Sequence, residues 1–442
     1  MKKLLKRLEV DRAVFFGLLT RIWQMLAVPV AALLIASQFT PELQGYYYTF
    51  ESLVRLQVLV ELGLGTVIIQ FASHEWSKLG LDKTGQIVGD KDALSRLVSL
   101  AHVAVRWYLV GAILLILGLG VGGYMFFPKP SGNAINWVAP WFLLCLLTGV
   151  TICLLPIWSL LEGCNQVSNV YFYRFMQSLC TYSSLWLAIL LGAKLWTASI
   201  YSAVGLVCAF IYLLKKYKLF LKTLLFSHET GPTIGWRSEI WPMQWRIAIS
   251  WASGYFIYWL FTPILFHYHG PVVAGQMGMT WAMIGGLSAV VSSWILPKAP
   301  HFGILIANKE YQELDKLCWR LTKITLGVAC LGALVIWSIV FALYTFGHPL
   351  ALRLLPPLPT GFFLLATISL VALIPMSVYL RAHKKEPLVF ISVISAIFVA
   401  ASNLVLGKYY SATGMATGYL LINLIMVPVV IVIWRRCRNK WH

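Results

Sequence analysis

Acidic residues are scarce in this chain. Of its 442 residues only 16 are Asp or Glu, against 35 Lys or Arg, and charged residues of both signs make up 12% of the whole. A soluble domain carries roughly 25%, and with 59% hydrophobic residues and a mean hydropathy of +0.77 the water-soluble globular class is excluded. There is no Gly-rich phosphate loop and no Cys/His cluster at metal-ligand spacing, so no cofactor or metal is expected. The nearest metal motif, His267-x-His269, is better read as a solvated turn. The eight cysteines, from Cys145 to Cys437, all fall outside the predicted outer loops, so no disulfide framework is implied.

What the chain has instead is apolar length. Charge-free runs able to cross about 30 Å of hydrocarbon at about 20 residues each occur at 22–41, 107–128, 130–161, 175–193 and 195–214. The later part adds 247–297, long enough for two helices around the His267 turn, then 324–352, 354–380, 387–407 and 409–434. Hydropathy alone misses one further helix, 46–71, because it carries Glu51, Arg55 and Glu61. Including it gives twelve spans, and the basic residues then sort by side. Outside lie only Lys129, Lys194, Arg353 and Lys408; Arg21, Arg55, Arg106 and Arg174 lie within spans, and every other Lys and Arg lies inside. This is the positive-inside bias, with both termini cytoplasmic. Omitting helix 46–71 would invert every later loop and destroy it. The net charge of +19 is accordingly a topogenic signal and a grip on anionic lipid rather than a mark of nucleic-acid binding. The basic start reads as leading into an uncleaved first helix, since the apolar stretch holds Arg21 and is too long for a signal peptide.

The spans are duplicated. Leu155-Pro156-Ile157 reappears near half the chain length later as Ile374-Pro375-Met376, and the same spacing pairs Leu161 with Leu380, Val170 with Val389 and Ser183 with Ser402. Asp90 to Leu97 resembles Glu310 to Leu317 at almost that spacing, and both read as short amphipathic connectors at the inner surface. An even number of helices per copy gives parallel repeats. The expected plan is an all-α integral membrane protein of two six-helix lobes, 1–214 and 243–442, joined by a cytoplasmic basic linker, 215–242.

Charges inside hydrocarbon cost roughly 2.5 to 3.5 kcal/mol each on insertion scales, so function is sought there. On the first helix Gly17, Arg21 and Gln24 share a face. On the second, Glu51, Arg55 and Glu61 follow the helix inward, with Glu51 and Arg55 one turn apart. On the fifth, Arg174, Gln177, Ser178 and Thr181 form a polar stripe. Two readings stand: Arg21, Gln24, Arg55 and Arg174 line a cavity and hold an anionic headgroup through charge-assisted hydrogen bonds, or they pair internally, Arg55 with Glu51 and Arg21 with Glu61. Glu51 and Glu61 are the ion-coupling or ion-pair candidates. Arg106 reads as a snorkelling residue at a helix end. Trp251, Tyr255, Tyr258 and Trp259 follow helical spacing and suit either sugar stacking or the membrane interface. Pro29, Pro156, Pro263 and Pro375 would kink their helices and free a carbonyl toward a cavity or hinge.

The stretch Glu42-Leu43-Gln44-Gly45-Tyr46-Tyr47-Tyr48-Thr49-Phe50-Glu51-Ser52-Leu53, continuing through Glu61-Leu62-Gly63-Leu64 to Gln70-Phe71-Ala72-Ser73-His74-Glu75, resembles the signature region of bacterial polysaccharide-biosynthesis membrane proteins. These are Wzx-type O-antigen flippases of the MOP (MATE-like) exporter superfamily. The resemblance implies an inner-membrane, non-enzymatic carrier of undecaprenyl-pyrophosphate-linked oligosaccharide from the inner to the outer leaflet, serving lipopolysaccharide or exopolysaccharide synthesis beside a glycan polymerase and ligase. It implies cationic cavity residues for the carrier and acidic ones for ion coupling, which Arg21, Arg55 and Glu61 match by type and placement. An enzyme on lipid-linked sugars would need a large outward domain, and the outer loops here are short. A MATE-type drug or metabolite antiporter on the same fold and a non-transporting scaffold of the glycan assembly complex are the alternatives.

The topology is directly testable. Single cysteines placed at Lys129 and Lys408 are expected to react with an impermeant thiol reagent in intact cells, and protection of both would sink the twelve-span plan.

Overall fold

The computed structural model describes residues 12–82, 85–129, 135–227, 231–295, 298–383 and 387–441. Lys2, Lys3, Lys6 and Arg7 of the basic start lie outside these. Among the described residues eight helical stretches are long and apolar enough to cross a membrane, nine if the bent pair Pro41–Glu61 and Leu64–Trp76 is one span. Two of the eight, Ile247–Ile295 and Val389–Trp441, run to 49 and 53 residues, about twice what a bilayer needs. Each breaks in the middle, at Gly270 (φ 85°) and at Ser411 (φ 54°). A further helix, Val167–Leu190, has spanning length at 24 residues. With both long stretches opened out and the bent pair taken as one, the described helices supply the twelve spans. His267 and His269 thus cap a helix that runs up to Gly270, and His269 Nε2 sits 2.6 Å from the Gly407 carbonyl oxygen.

The chain groups into two compact units, Met1–Leu34 with Leu53–Ala252, and Ile35–Ser52 with Ser253–His442. The first unit holds most of α1 (Arg12–Gln38), then α3 (Leu64–Trp76), a two-stranded antiparallel ribbon β1 (Leu79–Leu81) and β2 (Ile87–Gly89), and α4 (Lys91–Phe126). It continues with α5 (Val138–Gly163), α6 (Val167–Leu190), α7 (Trp196–Lys216) and α8 (Lys218–Phe226). The ribbon is the one strand pair among the described residues and has no counterpart in the all-α expectation. The core of this unit lies among α3, α4, α5 and α8, through residues such as Leu64, Ile68, Leu97, Tyr108, Ile152, Leu161 and Phe220.

Asp90 to Leu97 is not a separate connector. Asp90 is the N-cap of α4, its carboxylate accepting from the Ala93 N–H at 2.8 Å, and the segment after it forms the first turns of a 36-residue helix. Glu310 takes the N-cap position of α12 (Tyr311–Thr345) in the second unit, without a side-chain cap bond. A helix longer than the bilayer carries its own polar first turns out of it.

Within the expected linker, α8 buries Phe220 and Leu224 against the first unit while Lys218 and Lys222 stay exposed. The segment 231–240 then runs as a strap along α4. Gly231 N–H donates to Ser95 Oγ (2.9 Å), Ile234 N–H to Ser99 Oγ (3.3 Å), and Trp236 stacks on Trp107 at 5.1 Å. Arg96 clamps it, donating from Nε to Glu75 and from Nη2 to Glu239, both at 2.8 Å. The Gly235 N–H, followed by Arg96, holds the Glu239 carboxyl below its ordinary range.

The second unit contains α2 (Pro41–Val54), α10 (Phe261–Ile295), α11 (Ala299–Ala307), α12, α13 (Pro357–Val371), α14 (Ile374–Ala382) and α15 (Val389–Trp441). Helix α9 (Trp241–Tyr258) passes from one unit to the other. An aromatic cluster ties α10, α13 and α15: Phe261 lies 4.9 Å from Trp281 and 5.3 Å from both Phe363 and Tyr419. The tightest approach joins α2 to the later half of α10. Pro41 starts α2 and Pro271 follows the α10 break. Four residues into each, Gly45 and Gly275 meet: a Cβ on Gly45 would lie 1.9 Å from the Pro271 carbonyl oxygen, and one on Gly275 would lie 2.9 Å from the Gly45 nitrogen. Gln44 secures the crossing, its Nε2 donating to the Gly275 and Arg353 carbonyls at 2.9 and 3.0 Å. Arg353 donates in turn to the Phe39 carbonyl.

The obstacle at Gly45 is backbone, which cannot rotate away. Gly45→Ala is therefore expected to cost about 1–3 kcal/mol or more, read as a lowered unfolding temperature of the detergent-purified protein; an unchanged transition would contradict the crossing.

Candidate functional site

The second spanning segment is discontinuous. Helix α2 ends at Val54, Arg55–Gln57 is a 3-10 turn, Val58–Glu61 is one further α turn, and Leu62 (φ 43°) and Gly63 (φ 68°) are both left-handed before α3 begins. The bend is 42°. This corrects the expectation of one continuous helix over 46–71. Gly63 is required twice over: its φ favours glycine, and a Cβ there would lie 2.1 Å from Ile247 Cγ2. A broken helix in hydrocarbon frees carbonyls that need donors. Trp107 supplies one, its indole Nε1 donating to the Val60 carbonyl at 3.0 Å.

Glu61 ends the short turn before this break, and the polar groups of the first unit gather about it. Gly65 leaves open the space into which they converge: a Cβ there would lie 3.0 Å from Ser159 Oγ, 3.6 Å from Glu61 Oε1 and 4.0 Å from Tyr108 Oη. Tyr108 is fully buried, and its hydroxyl has no hydrogen-bond partner among the described residues. Glu61 lies within electrostatic reach of Arg174 on α6. Arg174 Nη2 forms an ion pair with Glu162 Oε1 near the end of α5, and its guanidinium stacks 5.3 Å over Tyr171. Two carboxylates therefore share one guanidinium. Glu162 escaped the sequence reading because it falls one residue beyond the charge-free run 130–161. Its signal was available: a lone acid followed by Gly163 at the end of an apolar helix.

The structure distributes the expected residues as follows. Arg21 and Gln24 are exposed on α1 and make no hydrogen bond or ion pair among the described residues. Helix α1 is seated on α6, with Gly17 against the Tyr171 ring and Trp23 Nε1 donating to the Ser178 carbonyl at 3.3 Å. The polar faces of α1 and α6 thereby adjoin, since Gly17 and Arg174 meet the same Tyr171 ring. The suggested Arg21–Glu61 pair does not form; the arginine near Glu61 is Arg174. Arg55 is exposed at the start of the 3-10 turn that follows α2. Glu51 accepts from Tyr47 Oη at 3.3 Å. Arg106 is exposed.

The four aromatics proposed for stacking do not form one exposed face. Trp251 and Tyr258 are exposed, Tyr255 is buried, and Trp259 lies past the end of α9. The Trp259 carbonyl accepts from the Ser52 hydroxyl. Among the described residues no group of His, Cys, Asp and Glu side chains could hold a metal ion.

Removing either member of the Arg174–Glu162 pair strands the other. Because Arg174 is 46% exposed, the coupling is partly screened and expected at about 1 kcal/mol. In a double-mutant cycle of thermal unfolding, Glu162→Gln and Arg174→Gln together should cost less than the sum of the singles; strict additivity would mean the pair does not act.

Neither a family model nor a curated protein sequence matches this chain. Solved structures do. The MATE multidrug transporter DinF-BH aligns over 99% of this chain and 96% of its own with a TM-score of 0.63 at 14% identity. The lipid II flippase MurJ, in an inward closed conformation, aligns over 95% and 87% with a TM-score of 0.61 at 14% identity. A Vibrio cholerae MATE transporter aligns over 99% and 98% with a TM-score of 0.60 at 13% identity. At these identities what is shared is the fold, and over nearly its full length this chain has the all-α membrane fold of the MATE and MurJ transporters.

Proposed function

We propose that this protein is a flippase that carries an undecaprenyl-pyrophosphate-linked oligosaccharide from the inner to the outer leaflet by alternating access. The observation that carries the reading is Arg21, an exposed arginine with no protein partner among the described residues, on a helix of spanning length with Gln24 one turn away. An unneutralised guanidinium at that depth persists where it faces water and meets an anion. Its planar fork suits a phosphate better than an ammonium would. The lipid II flippase is a neighbour in fold whose cargo is named as a lipid. Arg55 and Arg174 extend the cationic set, and the polyprenyl tail stays in hydrocarbon.

A carrier with about two negative charges leaving a negative interior gains roughly 2.3 kcal/mol per charge per 100 mV if uncompensated, so the membrane potential helps drive export. Glu61 and Glu162, which share Arg174, are the groups on which a coupling ion would act. Residence in the inner membrane with cytoplasmic termini belongs to the same proposal, as does work beside a glycan polymerase and ligase.

A second reading has its own observation. Two carboxylates around one guanidinium leave a local acidic excess beside Arg174, which suits a cationic cargo and a MATE-type antiporter.

Surface glycan in cells that depend on this protein separates the two. Arg21→Ala and Arg55→Ala should each abolish it and leave lipid-linked repeat units inside, with protein abundance within a few-fold of wild type. The corresponding Lys variants should recover only partly. Normal export by Glu51→Gln/Arg55→Gln would remove Arg55 from the anion site, and normal export by Arg21→Ala would defeat the proposal. Loss of drug tolerance with intact glycan would establish the antiporter instead.

A further inference from the structure

The duplication places one face of α4 and one face of α12 in equivalent positions, and the two are treated differently. On α4 that face carries Ser95, Arg96 and Ser99, and the strap 231–240 covers it, with Glu239 neutralising Arg96. On α12 the same positions carry Asp315, Lys316 and Trp319, followed by Arg320 and Lys323, and here the face opens as a groove of about 660 Å³. Its single acid is already engaged: Asp315 Oδ1 accepts from Tyr379 Oη at 3.1 Å, and Oδ2 lies 3.7 Å from Arg438 Nη1. Lys316 pairs with Glu313 at 2.8 Å on the exposed surface. Arg320 and Lys323 are exposed, and among the described residues neither has an acceptor.

One aromatic, Trp319, lines the groove, and the buried Trp434 lies behind it. Trp319 packs edge-on against Trp434 at 5.9 Å, and the Arg438 guanidinium lies 5.3 Å over the same Trp434 ring. Further along α12 the exposed residues turn apolar, through Leu326, Leu331, Leu334 and Val335, which are 40% to 68% exposed. Cations and a tryptophan at one level, with an exposed aliphatic strip directly beyond them on the same helix, match the two halves of a phospholipid.

We propose that this groove is a binding site for an anionic phospholipid. Arg320 and Lys323 take the headgroup phosphate, with Lys316 at the rim. Trp319 flanks the headgroup on the side of the helix start, and the acyl chains run along the aliphatic strip of α12. The lipid does for α12 what the strap does for α4: it brings negative charge to a cationic helix face that the fold leaves uncovered. A free anion would use only the cationic end; a lipid uses the strip as well.

Native mass spectrometry of the full chain in detergent, titrated with phosphatidylglycerol or phosphatidylcholine, tests this. Wild type should retain phosphatidylglycerol about ten-fold better. The variant Lys316→Gln/Arg320→Gln/Lys323→Gln, whose changes are all at exposed positions, should lose most of that preference and unfold at the wild-type temperature. A variant that removes equal charge elsewhere, Lys215→Gln/Lys218→Gln/Lys222→Gln, should keep it. Retention of the preference by the groove variant, equal loss in the control, or displacement of the lipid by millimolar inorganic phosphate would each overturn the assignment.

Discussion

Hydrocarbon offers no water, so every backbone group and charge this chain brings into it must find a partner within the protein. The structure answers that demand locally. Where the second span breaks at Leu62 and Gly63, Trp107 turns its indole to the Val60 carbonyl. Where Arg174 enters the bundle, Glu162 meets it. Hydroxyls inside helices return their protons to the preceding turn, as Thr148 does to Leu144 and Thr367 to Phe363. A polar group left without such an answer stands out for that reason. Arg21 and Gln24 on α1 and the buried hydroxyl of Tyr108 beside Glu61 are of this kind, and the proposed function rests on Arg21 rather than on the many polar atoms already satisfied.

Duplication supplies a control within one chain. Pro156 lies inside an unbroken α5, whereas its counterpart Pro375 stands at the start of α14, after α13 has ended. The same residue at the same place lies within the helix in one copy and just after a two-residue turn in the other, and each stretch remains a single span of 26 residues. Helices α4 and α12 diverge in the same manner. Both are about 35 residues long and begin with polar turns, but among the described residues only the first is strapped. A charge exchanged for a chain segment between copies is invisible to an internal alignment, since the strap belongs to the connection and not to the repeat.

The long spans were legible because a run of apolar residues has one solution in a membrane, and the hidden second span was legible because loop charges have to alternate by side. What stayed hidden were choices between states of similar energy. Nothing in Arg55 to Gly63 distinguishes a continuous helix from one interrupted by a 3-10 turn and two left-handed residues; Gly63 alone hints at it, and the close approach of Ile247 to that glycine comes from far along the chain. Glu162 was hidden by its position at the edge of an apolar run, and the ribbon at 79–89 by its three-residue strands. The helical spacing of Trp251, Tyr255 and Tyr258 is real, but spacing says only that side chains share a face, not that water reaches it; Tyr255 is buried.

The segment that carries the family resemblance shows a related separation. From Leu43 to Phe50 every residue is buried, and Gly45 and Tyr48 are the contacts that admit Gly275 and Gly278. These residues are constrained by a close crossing of two helices, a requirement that any cargo would leave unchanged. Likeness in this stretch is therefore a statement about how the bundle is built. For the carrier proposed above, the cargo would meet the few side chains that the bundle leaves unanswered. In this chain the cation on α1 is unanswered and the acids around Gly65 are partly answered, and under the proposed function the choice between an anionic and a cationic cargo turns on which of the two sets stays charged when the protein is empty. Glu61 and Glu162 have Arg174 to share; Arg21 has no carboxylate among the described residues, and a group with no internal counter-ion is the one that gains most from binding an external one.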